Sequence, residues 1–492
     1  MQVEVAIIGA GIMGCTMARA LSRYHLDVCV VDSNSDVGEG STKANSGLIH
    51  TGFHARGGSL KGQSCAEGNI LYDTIVEELD IPFSKIGALY VAFHEEGLEK
   101  IQEKRSRAKL NGAGDLDIIS GEEARLLEPR LSPRVIAAMH APTTGIISPF
   151  ELVFATARNA CANGVVFEFD FKVEALERSG DGWMLLADDG RAIYARYVVN
   201  MAGSEAALLD AQVRPADIIV RPRRGQFVVF DKQSQVTASD EKNSSAIQHV
   251  LFQAQESDEG GTLLAPTVDG NLLAGPTSEN IRSFSENMTT AAGIEHVKAV
   301  AKKLIPDIEF GEIISQFSGV RANISNIEKK KKDFVLRASA PHFISALGIK
   351  NPGMTSAPSL ALYALRLLRE EGLQTICRAD FDPRAQGFHY KPFMSLPSQE
   401  QKTLLRKDQR FGHVVCRCEQ VTEGDIRSCM HETPSPTTLD GIKRRLRCGM
   451  GRCQGGFCTS RIVDIMADEL KCVPQDILKS GHGGHVVRGW VK

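Results

Sequence analysis

The first 32 residues alternate between apolar runs and a helical pattern, which predicts a strand, a helix and a second strand. Residues 3–8 are apolar enough for a buried strand, residues 15–24 have the spacing of an amphipathic helix, and residues 27–31 form the next strand. The glycines Gly9, Gly11 and Gly14 fill the turn between the first strand and the helix, and Asp32 ends the second strand. Glycines let the backbone approach a pyrophosphate at the helix N-terminus, and an acid about 20 residues on accepts bonds from a ribose. The pattern therefore predicts a dinucleotide site.

Further along the chain the pattern changes from mixed to strand-rich. Two Ser-x-x-Glu sequences, Ser120 to Glu123 and Ser148 to Glu151, predict capping boxes at helix starts. Alternating apolar residues from Phe167 to Val173 predict one half-buried strand, and Asp269-Gly270 between apolar runs predicts a hairpin. Hairpin-like strands dominate from about residue 218 to 275. We expect an α/β protein in which a Rossmann-like domain is interrupted by an antiparallel-sheet substrate domain.

These patterns give a predicted division of the chain. The nucleotide-binding domain takes residues 1–80, 145–215 and 335–375, and the substrate domain takes residues 81–144 and 216–334. A polar stretch marks residues 376–410 as a linker. A small helical domain over 411–475 and a tail over 476–492 complete the 492 residues.

Composition and charge remove several function classes. The 57 Lys and Arg residues nearly balance the 60 Asp and Glu residues, and the formal charge is −3. No overall field attracts nucleic acid or an anionic membrane. The sequence contains no apolar run near the 20 residues that a membrane span needs, and its start lacks a basic signal-peptide region. We expect a cytoplasmic protein without a membrane span.

Cysteine is unevenly distributed. Seven of the 12 cysteines fall between Cys416 and Cys472. Disulfides are rare in cytosolic proteins, so this density predicts a metal or cluster module at the C-terminus. Four thiolates in two short pairs suit either a [2Fe–2S] cluster or a structural zinc ion.

The glycine turn alone does not distinguish FAD from NAD, but the segments that follow it do. Four stretches, in this order, resemble FAD enzymes of the D-amino-acid-oxidase superfamily, in its glycerol-3-phosphate and L-2-hydroxyglutarate dehydrogenase branches. They are residues 44–61 (Ala44-Asn-Ser-Gly-Leu-Ile-His-Thr-Gly52 and Gly58-Ser-Leu-Lys61), 195–203, 318–321 and 348–358. The resemblance covers most of residues 1–370 and implies non-covalent FAD between the two domains.

The resemblance also implies which residues contact the cofactor. Beside Gly9, Gly11, Gly14 and Asp32, these are Ala44, Asn45, Ser46 and Gly203 near the pyrophosphate and flavin, and Gly353, Met354 and Thr355 at the flavin edge. Backbone N–H groups from the last three would stabilise the negative charge of a reduced flavin.

Oxidation of a secondary alcohol needs a base for the hydroxyl proton and a cation for an anionic tail. His50 follows the flavin-contacting segment and is the first choice for the base, with a buried structural histidine as the alternative. Arg321 is the choice for the anion clamp, because a guanidinium matches carboxylate or phosphate with two bonds. Arg223, Arg224 and His54 are weaker choices.

The C-terminal stretches Val415 to Thr422 and Arg447 to Cys458 resemble the bacterioferritin-associated-ferredoxin-like [2Fe–2S] domain. That resemblance implies a cluster held by Cys416, Cys418, Cys453 and Cys458, with a Cys448/Cys453 pair as the alternative. Cys429 and Cys472 fit neither pair and are expected to be buried thiols.

Together, these features predict a dehydrogenase of a small anionic secondary alcohol, with FAD and a [2Fe–2S] cluster. The resemblance to the two families implies sn-glycerol 3-phosphate, oxidised to dihydroxyacetone phosphate, as the first-choice substrate and L-2-hydroxyglutarate or a related 2-hydroxy acid as the second. We expect a partner protein that accepts the electrons, through which the chain could lie peripherally at a membrane, and no nucleic acid. Alternatives of other classes are an electron-transfer protein without its own substrate and a redox-sensing or zinc scaffold.

Overall fold

The structure is a computed structural model that describes residues 1–114, 116–234, 246–254, 261–326, 333–387, 391–481 and 483–489. Within these ranges the helices are α1 Ile12–Leu21, α2 Leu60–Leu79, α3 Glu95–Leu110, α4 Gly121–Leu127, α5 Pro149–Ala162, α6 Ala206–Val213, α7 Ala291–Leu304, α8 Gly353–Glu370, α9 Ser398–Lys407, α10 Glu423–Cys429, α11 Leu439–Leu446 and α12 Thr459–Leu470. The strands are β1 Gln2–Ile8, β2 Val28–Val31, β3 Leu48–Ile49, β4 Phe83–Lys85, β5 Ala88–Ala92, β6 Asp117–Ser120, β7 Ala137–Ala141, β8 Gly145–Ile147, β9 Val166–Glu168, β10 Val173–Ser179, β11 Gly182–Ala187, β12 Ala192–Asn200, β13 Ile218–Phe230, β14 Val250–Gln253, β15 Leu263–Pro266, β16 Leu272–Gly275, β17 Glu279–Asn280, β18 Ile313–Asn326, β19 Val335–Ala340, β20 Phe343–Leu347, β21 Val414–Cys416 and β22 Val421–Thr422.

The first sheet contains the β1–α1–β2 unit that the N-terminal pattern predicts. Its main order is β10-β11-β12-β1-β2-β9, with β20 beside β12 and β19 beside β20. Strands β1, β2, β9, β12 and β20 are parallel where they pair. Buried apolar residues of β1 and β2 pack against α1, α5 and α8, because parallel strands covered by helices bury both faces. The carboxyl ends of β1, β2 and β12 therefore meet at one edge, which is the edge that binds ligands in such sheets.

The strand predicted from Phe167 to Val173 is wrong as one element. It is broken into β9 and β10, because residues 169–172 leave the sheet. Asp170 has a φ of +51°, and the N–H of Phe171 donates to the carbonyl of Asp32 at 2.8 Å. The segment thus turns onto the loop after β2, where its backbone groups find partners that an apolar pattern does not reveal.

The second sheet is mainly antiparallel and lies over the same edge. Its main order is β17-β13-β16-β15-β14-β5-β7-β6, and the long strands β13 and β18 form a ribbon in which Arg223 pairs with Arg321. Strands β15 and β16 pair antiparallel across Asp269 and Gly270, so the predicted hairpin is confirmed. Helix α7 closes the far face with a core of Val297, Ala301 and Leu304. The predicted fold class, a Rossmann-like domain with an antiparallel sheet inserted, is confirmed.

One of the two predicted capping boxes forms in full. The Ser120 hydroxyl accepts from the N–H of Glu123, and the Glu123 carboxylate accepts from the N–H of Ser120. At α5 the Ser148 hydroxyl caps the helix in the same way, but the carboxylate of Glu151 binds Arg158 at 2.6 Å instead. A guanidinium competes successfully with a backbone N–H because the bond between two charges is stronger.

The C-terminal helices α10, α11 and α12 form their own small core around Ile426, Ile442 and Met466. The segment predicted as a linker runs along the first domain rather than away from it. The side-chain amide of Asn159 donates to the carbonyls of Asp382, Pro383 and Ala385, and helix α9 follows. The domain boundaries stay a prediction. In the described part of the chain, no helix is long and apolar enough to cross a bilayer.

Candidate active site and thiol cluster

A cavity of about 1170 Å³ lies between the two sheets. Its floor is the turn between β1 and α1, and its walls are the loop at residues 44–46, the middle of the β13–β18 ribbon and the start of α8. Eleven of the predicted residues line it: Gly9, Gly11, Asp32, Ala44, Asn45, Ser46, His50, Gly203, Arg321, Gly353 and Met354. Gly14 and Thr355 do not.

The glycines of the turn are required by close packing. Gly9 has a φ of +108°, and a Cβ there would lie 2.5 Å from the carbonyl oxygen of Met201. A Cβ on Gly14 would lie 1.7 Å from the carbonyl oxygen of Gly9, so Gly14 serves the packing of helix on strand. The first turn of α1 contains no acidic residue, which leaves the positive end of the helix free to face a phosphate. This cradle fits a dinucleotide.

Asp32 lies at the end of β2 and lines the cavity, but its carboxylate is also part of the turn. Its Oδ2 accepts from the N–H of Ala10 at 2.6 Å, and its Oδ1 accepts from the N–H of Asn34 at 2.8 Å. Burial raises its pKa, and these hydrogen bonds oppose that shift. The carboxylate therefore fixes the turn, and its bond to a ribose stays a prediction.

The start of α8 differs in part from the prediction. The N–H of Gly353 donates to the carbonyl of Lys350 at 2.5 Å, so this donor is already used. Thr355 is fully buried behind the wall. Its hydroxyl accepts from the N–H of His50 at 3.0 Å and is 3.3 Å from the carbonyl of Leu48, to which it donates. Thr355 thus holds the segment that carries His50, a role that the sequence did not indicate.

The imidazole of His50 lies inside the cavity wall and is 5% exposed. Its Nε2 atom is 3.0 Å from Nδ2 of Asn351. Burial is the main cause that lowers the pKa of His50 to about 4, with the charge of Lys61 second. The ring is therefore neutral at pH 7, and a neutral ring can accept a proton.

Of the cationic side chains that line the cavity, four act on one another electrostatically: Lys61, Lys104, Arg223 and Arg321. Arg321 donates to the carbonyl of Thr277 at 2.7 Å, and burial followed by the charge of Arg223 lowers its pKa to about 10. Burial likewise lowers the pKa of Lys61 to about 8. Altogether the lining contains seven lysines and arginines but three acids, so the cavity favours an anion.

Of the weaker candidates for the substrate site, His54 lines the cavity and Arg224 does not. His54 lines the cavity beside His50, at 5.5 Å between ring centroids, and its buried Nε2 has no hydrogen-bond partner among the described residues. Arg224 points to the other side of β13, where it binds Glu279 at 2.7 Å. The alternation of side chains along a strand explains why Arg223 faces the cavity and Arg224 does not.

Sequence reasoning missed Lys104 and Asn351. Lys104 lies in a charged stretch of α3 that looks solvated, yet it is 4% exposed. A signal was available, because Ile101, Lys104 and Ala108 share the helical spacing of a buried face. Asn351 lies within the segment that resembles the family, yet nothing in its sequence context indicates a contact with His50.

The predicted cluster cysteines meet in two groups. The thiol of Cys416 hydrogen-bonds with those of Cys448 and Cys458, and the thiol of Cys418 with that of Cys453. Each group therefore contains one cysteine of the Cys416/Cys418 pair and one of the Cys453/Cys458 pair. Cys448 contacts Cys416 in the same way as Cys458 does. The described residues hold no group of three or more His, Cys, Asp or Glu side chains that converge on one point, as a single tetrahedral ion requires.

Backbone N–H groups point at these sulfur atoms. Those of Glu419 and Gly449 donate to Cys416, and those of Gly455, Gly456 and Phe457 donate to Cys453. The hydrogen bond from Cys448 is the main cause that lowers the pKa of Cys416 to about 5. Paired thiolates that accept N–H bonds fit an iron–sulfur cluster, whose sulfur ligands are tuned in this way.

Buried ion pairs attach the thiol-rich region to the first domain. Arg445 binds both carboxylate oxygens of Asp36, at 2.5 and 2.9 Å, and Arg444 binds Glu39 at 2.7 Å. The Arg445 guanidinium also lies 4.0 Å from the ring centroid of Phe154. Asp36 and Glu39 belong to the loop that follows Asp32, so the cluster region packs beside the nucleotide-binding edge.

Comparisons with known proteins agree with this architecture. A family described as FAD dependent oxidoreductase matches residues 4–367, and one described as BFD-like [2Fe-2S] binding domain matches residues 414–468. The chain is 35% identical to a glycerol 3-phosphate dehydrogenase of Caloramator mitchellensis, over 99% of each protein. It is 25% identical to one subunit of the anaerobic glycerol-3-phosphate dehydrogenase of Escherichia coli K12, over 94% of this chain and 88% of that one.

Among solved structures, the fold is similar to an FAD-bound L-alpha-glycerophosphate oxidase from Mycoplasma pneumoniae. The TM-score is 0.71, with 24% identity over 78% of this chain and 98% of the other. FAD and a [2Fe–2S] cluster are thus the cofactors of this chain, as predicted.

Proposed function

The chain belongs to the family of FAD-dependent oxidoreductases, and from that premise we propose that it oxidises sn-glycerol 3-phosphate to dihydroxyacetone phosphate. The observation that supports this substrate is the set of four cations, Lys61, Lys104, Arg223 and Arg321, in the wall of the cavity. A phosphate monoester carries between one and two negative charges at pH 7. Several cations suit an anion with about two charges, and the relatives named glycerol 3-phosphate dehydrogenases favour the phosphate over a dicarboxylate such as L-2-hydroxyglutarate.

The cations come from separate elements and surround one space. Lys61 is on α2, Lys104 on α3, and the two arginines pair across β13 and β18. Their mutual repulsion lowers the pKa values of Lys61 and Arg321 further, since Lys104 and Arg321 act on Lys61 and Arg223 acts on Arg321. An anion relieves this repulsion, so binding is favoured by charge as well as by hydrogen bonds.

His50 would accept the hydroxyl proton. With the Asn351 amide nitrogen donating, Nε2 of His50 is the unprotonated atom, and a substrate hydroxyl would replace Asn351 as its partner. FAD, when bound, supplies the acceptor for the hydride of the carbinol carbon. The buried hydrogen bond from the backbone N–H of His50 to the Thr355 hydroxyl fixes the backbone that carries the imidazole.

We propose that the electrons leave one at a time through the cluster held by Cys416, Cys418, Cys453 and Cys458, to a partner protein. Phe227 on β13 lines the cavity, and Asp231, just beyond the end of that strand, lies beside Cys418. At about 3.3 Å per residue, these two positions are about 13 Å apart along the strand. The E. coli relative is named as a subunit, which supports an electron-accepting partner for this chain.

Steady-state oxidation of a substrate panel by a dye acceptor tests the proposal. The panel is glycerol 3-phosphate, L-2-hydroxyglutarate and uncharged glycerol. We expect kcat/KM to be highest for glycerol 3-phosphate and lowest for glycerol, by at least about 100-fold, because glycerol leaves the cations unpaired. A preference for L-2-hydroxyglutarate would move the activity to the second substrate class, and no turnover with any of them would remove the proposal.

A further inference from the structure

The two thiol groups differ in exposure. Cys416 and Cys458 are buried, whereas Cys418 is exposed and Cys453 is half-buried. Both of the accessible cysteines lie at the same side of the region, because their thiols contact each other. One edge of the thiol cluster therefore reaches the surface, and the other edge lies in the core of the small domain.

The surface around that edge is apolar at its centre and basic at its rim. Phe457 lies between Cys453 and Cys458 in the sequence and is 75% exposed, the only phenylalanine among the exposed large apolar side chains of the described residues. Arg417 and Arg452 line one small pocket with Cys418, Arg461 follows Cys458 by three residues, and all three side chains are exposed. We call the six residues Arg417, Cys418, Arg452, Cys453, Phe457 and Arg461 the thiol face.

The loop that forms this face is held in place. The N–H of Phe457 donates to the sulfur of Cys453, and Gly455 has a φ of +88° that an L side chain would strain. Arg461 donates to the carbonyl of Val414 at 3.1 Å, at the start of β21, which leads into the first cysteine pair. These contacts fix the backbone of the loop, and the fixed backbone keeps the side chain of Phe457 exposed to solvent.

Asp231 and Glu419 line the same small pocket as Arg417 and Arg452, but only one of the three arginines of the thiol face makes an ion pair within the described residues. Arg452 binds Asp231, but no described carboxylate pairs with Arg417 or Arg461. The carboxylate of Glu419 is taken by Lys232 and Arg447. Asp464, three residues after Arg461, is the exposed acid nearest to the face in sequence. Arg444 and Arg445 of the same region are instead buried against Glu39 and Asp36.

We propose that the thiol face is the docking surface for an acidic protein that carries single electrons. An aromatic side chain at the centre with arginines at the rim is the composition of protein interfaces, and basic rims attract acidic partners. The inference rests on the proposed function for its electron supply. Oxidation of one alcohol to a ketone releases two electrons and two protons, so two oxidised carriers each take one electron in turn.

Binding is the first test, since it needs no turnover. Oxidised rubredoxin, a small acidic one-electron carrier, is labelled with a fluorophore and titrated with the holoenzyme, with basic cytochrome c as the control carrier. We expect rubredoxin to bind at low ionic strength and its affinity to fall at least about tenfold at about 0.5 M salt, while cytochrome c binds weakly throughout. Equal binding of both carriers, or none by rubredoxin, would overturn the proposal.

Charge reversal locates the site. Arg417→Glu with Arg461→Glu should weaken rubredoxin at least about tenfold at low salt and strengthen cytochrome c. The control, Lys109→Glu with Arg384→Glu, changes the net charge equally at exposed positions outside the small domain and should change neither. If the control weakens rubredoxin as much as the face variant, the face is not the site.

A dye assay separates this inference from the proposed function. The face variant should retain its iron content and its reduction of a small dye by glycerol 3-phosphate, and lose only the transfer to rubredoxin. If the unmodified enzyme does not reduce the dye with glycerol 3-phosphate, the proposed function is contradicted. The docking proposal is then decided by the binding experiment alone. If the face variant loses its iron, the same binding measurement is made with Phe457→Ala, which should also weaken rubredoxin binding. The salt dependence of rubredoxin binding to the unmodified enzyme then provides the test of charge.

Discussion

Replacing Arg321 by methionine tests the anion site most sharply. The guanidinium lies in the cavity wall, and no described carboxylate pairs with it, so its charge is available to the substrate. Losing one partner of a buried charge pair costs about 2–5 kcal/mol, which is about 30-fold to about 4,000-fold in kcat/KM at about 1.4 kcal/mol per tenfold. We expect the lower half of this range, because Arg223 remains beside the phosphate.

The same substitution should leave the stability of the folded protein nearly unchanged. Burial and the charge of Arg223 both lower the pKa of Arg321, so the charge is unfavourable in the folded protein without an anion. We therefore expect Arg321→Met to keep the thermal midpoint within about 1 °C, which corresponds to about 1 kcal/mol in a protein of this size.

The assay compares glycerol 3-phosphate with glycerol in the variant and in a matched control. Arg224→Met removes the neighbouring guanidinium of the same ribbon, which faces away from the cavity and binds Glu279. Only Arg321→Met should lose the preference for the charged substrate, and its rate with glycerol should stay the same. An equal loss with both substrates, or an equal loss in both variants, would refute the assignment of Arg321 to the anion.

Three further predictions concern stability, pH and iron. Arg445→Met leaves buried acids unpaired and should cost about 3–5 kcal/mol in urea unfolding, whereas Arg384→Met breaks an exposed pair and should cost less than about 1 kcal/mol; similar losses would contradict the role of burial. Because burial holds the pKa of His50 at about 4, kcat/KM corrected for the substrate phosphate's own ionisation near about pH 6 should stay level from pH 7 to about pH 5 and fall near pH 4, and a corrected fall centred at about pH 6.5 would contradict a buried base. The unfolded chain protonates this ring first, so its contribution to stability is present above pH 6.5 and is lost as the pH falls towards 4, which His50→Asn should abolish. Cys458→Ser should lose iron and Cys448→Ser should retain it, as measured by elemental analysis; the reverse would make Cys448 the ligand in place of Cys458.

The glycine turn could be predicted because its causes are local. Gly9, Gly11 and Gly14 have their spacing from the geometry of one strand and one helix, and Asp32 follows from the next strand. The hairpin at Asp269 and the cap at Ser120 are local in the same sense. Cofactors and family followed from short segments whose order along the chain is distinctive.

What depends on distant contacts could not be predicted. Thr355 is turned to the backbone of His50, 305 residues away, and Lys104 is buried by a cavity that several elements build. The break after β9 arises because Phe171 binds the carbonyl of Asp32, a partner that its apolar pattern does not show. In each case the alternative contact is made by residues far apart in sequence, where periodicity carries no information.

The central claim is tested most directly by an anaerobic absorbance spectrum of the purified protein during titration with glycerol 3-phosphate. The flavin takes two electrons and the cluster one, so about 1.5 equivalents should bleach both sets of bands, and glycerol should bleach neither. L-2-Hydroxyglutarate should leave the spectrum unchanged. Bands that persist with glycerol 3-phosphate, or that bleach with L-2-hydroxyglutarate alone, would contradict the account.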